Sequence, residues 1–83
     1  MFKNKNDFSN NLCGNKIKEI RKTKFPGLSQ RGLADKLQLT GIDLDKNAIQ
    51  RIESGQRFVT DIELLAFSQV LNVSLDELLS VNK

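Results

Sequence analysis

The chain contains no histidine and a single cysteine, Cys13. A zinc centre needs several such ligands, so neither a structural nor a catalytic zinc site can be assembled. One cysteine also rules out an intrachain disulfide, which suits a reducing cytosol. Cys13 is read as a small apolar filler near the first helix. No glycine-rich phosphate loop or nucleophile motif appears. The carboxylates stand at helix starts, where they have structural roles. These absences describe a protein that is not an enzyme and takes no cofactor or metal. No apolar run approaches the ~20 residues that span a bilayer. The first residues are rich in asparagine and lysine, with no apolar stretch of the kind a signal peptide needs. A cytoplasmic location is the expectation.

What is present fits one small globular domain. The 83 residues are 39% hydrophobic and 28% charged, with a net charge of +3. The charge is uneven. Residues 1–36 hold nine Lys or Arg and three acids, a net of +6, whereas residues 37–83 hold four and seven, a net of −3. A basic half suits an anionic partner such as DNA phosphate, and equally suits a merely solvated surface.

The pattern along the chain is helical throughout, with no strand alternation and no internal repeat. Residues 1–10 have no period and read as a flexible arm in which Phe2 or Phe8 could pack back on the domain. Residues 11–83 read as the folded domain. A first helix is expected from about Asn11 to Lys24, with Leu12, Ile17 and Ile20 inward and Phe25-Pro26-Gly27 ending it. Ser29 is placed to cap a second helix with Leu33 and Leu37 inward. Asp45 is placed to cap a third, Lys46 to about Ser54, ending at Gly55. Its Ile49 and Ile52 face the core, and Lys46, Asn47, Gln50 and Arg51 face out. Thr60-Asp61-Ile62-Glu63 is a capping box that opens a fourth helix through Leu71, apolar on most sides and expected to be the most buried. Ser74-Leu75-Asp76-Glu77 is a second such box, opening a short fifth helix.

The second and third helices form a pair that suits a helix-turn-helix. Their wording is more specific. Leu28-Ser29-Gln30-x-x-Leu33-Ala34-x-x-Leu37, followed by Ile49-x-x-Ile52-Glu53-x-Gly55, resembles the phage repressor and Cro type of DNA-binding domain, often called the XRE family. Leu71 to Leu79 resembles the end of the same domain, so the likeness runs from about Gly14 to Leu79. Two features depart from the family pattern. Gly32 stands where a helix former is usual. Twelve positions separate Leu37 from Ile49 where about seven are usual, so Thr40 to Leu44 lengthen the turn.

The resemblance implies an all-α, compact five-helix repressor-like bundle. It implies base contacts from Lys46, Asn47 and Arg51, with Ala48 able to touch a thymine methyl. Gln50 reads as a phosphate or flanking contact. At the start of the second helix the resemblance makes Gln30 a phosphate contact. Ser29 at the same tip is cap, contact or both. Arg57 is expected to reach a phosphate or to be a solvated loop charge, with Gln56 or Arg31 assisting. The resemblance also pairs Arg21 with Glu53 in a partly buried salt bridge, which makes Glu53 structural.

The reading is a transcriptional regulator, as a repressor, that binds specific double-stranded DNA through its third helix. Two-fold operators imply a homodimer, at least on DNA, through the fifth helix and C-terminus with Leu75, Leu78, Leu79 and Val81. The alternative is an antitoxin or other interaction module with a protein partner.

Overall fold

A computed structural model describes residues 10–79. It contains five helices: α1 (Gly14–Lys24), α2 (Gln30–Gln38), α3 (Lys46–Glu53), α4 (Asp61–Leu71) and α5 (Leu75–Leu79). Among the described residues no strand forms. The expected arm, with Phe2 and Phe8, and the expected dimer residue Val81 lie outside the described residues.

Side-chain caps set the helix starts. Ser29 Oγ accepts from Gly32 N at 2.9 Å, and Asp45 Oδ1 accepts from Ala48 N at 2.8 Å. Thr60 and Glu63 form both halves of their capping box. At α5, Ser74 Oγ accepts from Glu77 N at 3.1 Å. Such contacts satisfy N–H groups that a helix leaves without an internal partner.

The core draws on every helix: Ile17 and Ile20 from α1, Leu33 and Leu37 from α2, Ile49 and Ile52 from α3, Phe67 and Leu71 from α4, and Leu78 from α5. α2 packs on α3 and α4, while α1 packs on α3, α4 and α5. Ala34 is buried where α2 meets its neighbours. The long turn is not a loose insertion. Leu44 is buried and Ile42 packs against the core. Ile42 N and Thr40 Oγ1 both donate to Leu37 O, closing the end of α2. The turn is therefore tied at both ends, and α3 starts from a fixed point.

Four expectations are corrected. α1 begins at Gly14 rather than Asn11, and Leu12 is about half exposed. Asn11 stands outside the helix and accepts from Gly14 N through Oδ1 at 2.7 Å. Asn10, assigned to the arm, is bonded to the domain: its N donates to Gly55 O at 2.7 Å and its Nδ2 to Gln56 O at 2.9 Å. α4 is not the most buried helix, because Ile62 and Leu65 are exposed by 67% and 49%. Its apolar surface is wider than its neighbours can cover. Leu78, which could turn inward or toward a partner, is fully buried in the core.

The start of α1 crosses the end of α3 at very close range. A Cβ on Gly14 would overlap Ile52 O and sit 2.8 Å from Asn11 Oδ1. The contact is with backbone, which cannot rotate away. Gly14→Ala is therefore expected to lower unfolding free energy by about 1–3 kcal/mol through overpacking. Urea unfolding measures it, and an unchanged midpoint would show that the two helices can part freely.

Candidate nucleic-acid interface

Recognition by a short helix requires one face anchored and the other free. On α3, Ile49 and Ile52 are fully buried, and Lys46, Asn47, Gln50 and Arg51 are exposed. At about 100° per residue these four lie within an arc of roughly 140° on the side away from the two isoleucines. Among the described residues, none of their side chains is drawn into a hydrogen bond or ion pair. Their donors and acceptors are available to a partner. Ala48 stands apart from the stripe. It is only 7% exposed and belongs to the core, because its angular position follows the isoleucines rather than the polar stripe.

Behind the stripe stands a buried ion pair. Arg21 Nε lies 2.8 Å from Glu53 Oε2, and Nη2 lies 3.0 Å from Oε1. Arg21 Nη1 donates to Leu28 O at 2.8 Å, and Gln30 Nε2 donates to Glu53 Oε1 at 2.9 Å. The hydrogen bond to Glu53 raises the Arg21 pKa, burial opposes this, and the Glu53 charge adds to the rise. Arg21 is thus held as a cation. The pair is nearly dry, with side-chain exposures of 9% and 2%. Its net contribution to stability is small, but removing one partner of such a pair costs about 3–5 kcal/mol.

The start of α2 differs in detail from the expectation. Ser29 Oγ is used as the cap, and one Gln30 Nε2 hydrogen is used on Glu53. The amide's second hydrogen and the leading backbone N–H groups of α2 remain. A helix N-terminus with such groups suits a phosphate oxygen. Gln30 therefore ties the candidate phosphate site directly to the helix behind the polar stripe.

After α3 the chain turns at Gly55, whose φ of 84° is in the left-handed region that favours glycine. Gln56 is exposed. Arg57 is half-buried and its fork is engaged, with Nη1 3.0 Å and Nη2 3.3 Å from the two Glu63 oxygens. Nη1 also donates to Phe58 O at 3.0 Å. Arg57 is thus left with only part of its donor set and a partly neutralised charge. Arg31, at the head of α2, is exposed. Among the described residues no three histidine, cysteine, aspartate or glutamate side chains converge to hold a metal ion. No helix there is long and apolar enough to cross a membrane.

The helix-turn-helix family profile matches residues 17–78, which include all five helices in whole or in large part. The chain belongs to the helix-turn-helix family. It is a DNA-binding transcriptional regulator. The control protein C.MunI of a Mycoplasma species is 40% identical over 67 residues, covering 81% of this chain and 82% of that protein. The crystal structure of the restriction-modification controller protein C.AhdI from Aeromonas hydrophila superposes with a TM-score of 0.66 at 32% identity. That likeness covers 78% of this chain and 84% of C.AhdI.

Within this helix-turn-helix, two sets of residues escaped sequence reasoning. Asn10 and Asn11 bond to the end of α3 and the loop after it, with side-chain partners 41 to 46 positions away. Only the short polar residues ahead of a helix hinted at them. Glu63 was read as half of a capping box and has a second role, on Arg57.

The double role of Glu63 has a pH signature. Burial opposes its ionisation, but the bonds from Arg57 and the Thr60 N–H, with the Arg57 charge, hold its carboxyl below the usual carboxylate range. A lowered folded-state pKa contributes stability above the unfolded value of about 4.3 and loses it as pH falls through the folded value. The stability difference between the unaltered chain and Glu63→Gln should therefore shrink as pH drops from about 6 to about 3. Urea midpoints across that range check this, and a constant difference would mean that the carboxylate charge contributes nothing.

Proposed function

We propose that the chain is a cytoplasmic, homodimeric repressor that seats α3 in the major groove of a two-fold operator. The observation that carries the reading is the unengaged polar stripe of α3, backed by a buried core face and by the Arg21–Glu53–Gln30 cluster. Lys46, Asn47 and Arg51 are the proposed base readers. Asparagine suits adenine and arginine suits guanine by paired hydrogen bonds. Ser29, Gln30, Gln50, Gln56 and Arg57 are the proposed backbone contacts that hold the helix in register. The two relatives are named as control or controller proteins, one of them of restriction-modification. On that likeness, the proposed operator controls restriction-modification genes.

Arg51→Ala is expected to weaken binding to the preferred duplex by about 1–3 kcal/mol and to relax preference at one position. Titration against matched and scrambled duplexes tests it. Equal losses on both would move Arg51 to the phosphate-contacting set.

The second copy has a surface to meet. α4 leaves Ile62 and Leu65 exposed, and α5, packed on α4, leaves Leu75 and Leu79 about 40% exposed. Four such side chains on adjoining helices are more apolar surface than a small monomer needs to present. Leu65→Lys is expected to shift the chain to a monomer and to reduce operator affinity together. Sedimentation velocity and DNA titration check the pair of effects. A variant that stays dimeric would remove this face from the interface.

A further inference from the structure

The end of α3 raises a question that the polar stripe does not answer. A helix C-terminus leaves its last carbonyl groups without internal partners, and these must be satisfied or solvated. Here most are met locally, but Ile52 O, which already accepts from Gly55 N, and three carbonyls of the loop beyond it are also met from far away in sequence. Asn11 Nδ2 donates to Ile52 O at 3.1 Å and to Arg57 O at 2.7 Å. Asn10 contributes its backbone N to Gly55 O at 2.7 Å and its Nδ2 to Gln56 O at 2.9 Å. Asn11 Oδ1 is also occupied, by Gly14 N. Both ends of the Asn11 amide are thus used, which fixes its orientation. From the other side, Gln56 N and Arg57 N donate to Arg51 O at 2.8 and 3.2 Å.

We propose that Asn10 and Asn11 are positioning residues for DNA recognition, holding the 55–57 loop so that Gln56 and Arg57 meet the DNA backbone while Arg51 stays in register. This rests on the proposed phosphate role of that loop. The chemistry favours a neutral amide. Asparagine supplies donors to the carbonyls and an acceptor to the helix start from one short side chain. An aspartate keeps the acceptor but sets a negative charge against two carbonyl oxygens, at the helix end that already carries partial negative charge. The clamp does more than cap a helix, because three of its four carbonyl acceptors belong to the loop rather than to α3.

The test uses the full chain and a duplex that the unaltered chain selects from random-sequence DNA. Asn11→Asp keeps the cap on Gly14 and loses both donor bonds. Asn10→Ala loses one side-chain bond and keeps the backbone bond, so it serves as the variant least able to disturb folding. Binding is measured against salt at a temperature where urea curves show each variant folded. Asn11→Asp should lose about tenfold in affinity, Asn10→Ala about threefold, from two bonds and one. The salt slope should fall by about one for Asn11→Asp, as a phosphate contact is lost. Gln56→Ala should cost less in the Asn11→Asp background than alone. Full affinity in both folded variants, or additive losses with Gln56→Ala, would overturn the proposal. If the unaltered chain selects no duplex, the DNA reading of the interface fails instead. The clamp is then judged by amide hydrogen exchange. Faster exchange at Gln56 and Arg57 in Asn11→Asp supports the restraint, and unchanged protection there overturns it.

Discussion

One carboxylate, that of Glu53, ties the first three helices of this protein together. It is the last residue of α3, almost fully buried, and bonded to Arg21 on α1 and Gln30 on α2. A buried charge without partners would be expelled or protonated, so its partners are obligatory. That requirement brings α1 and α2 to the same end of α3 and draws in the α1–α2 connection through Leu28 O. Hydrophobic contact alone is non-directional and would tolerate rotation of a short helix. Paired, directional bonds to a planar guanidinium do not. The orientation of the exposed stripe is thus fixed by a charge on its hidden side.

The remaining restraints act on the two ends of α3. At its start, Leu44 and Asp45 set where the helix begins. At its end, Asn10, Asn11 and the close approach of Gly14 set where it stops. Eight residues make just over two turns, and an isolated helix of that length is unstable in water. Its rigidity is borrowed from the packing around it. This explains how a long turn is compatible with a fixed third helix: the extra residues are anchored by Ile42 and Leu44 before α3 begins.

The parts that were legible in the sequence are those governed by neighbours in the chain. Ser29, Asp45 and Thr60 each cap over three residues, and the isoleucine spacing of α3 places its core face within one turn. Arg21 and Glu53, 32 positions apart, were reached through family resemblance, since no local rule joins them. The burial of Ala48 was not read from the same resemblance, which speaks of a position and not of its rotation in this chain. The asparagine pair, the second partner of Glu63 and the anchoring role of Leu44 depend on contacts across the fold, which periodicity does not report. α4 misled for a related reason: its composition shows how many apolar residues it carries, not how many its neighbours in the fold cover.

Cys13 gives this architecture a use. It is 2% exposed, at the junction between the asparagine pair and α1, and burial pushes its thiol pKa up. Reactivity belongs to the thiolate, so the closed protein shields this sulfur by both access and ionisation. An alkylating reagent reaches it only when the fold opens enough to uncover this position. With no other thiol in the chain, labelling has one possible address. Its rate is a clock for that opening, built into the molecule without engineering.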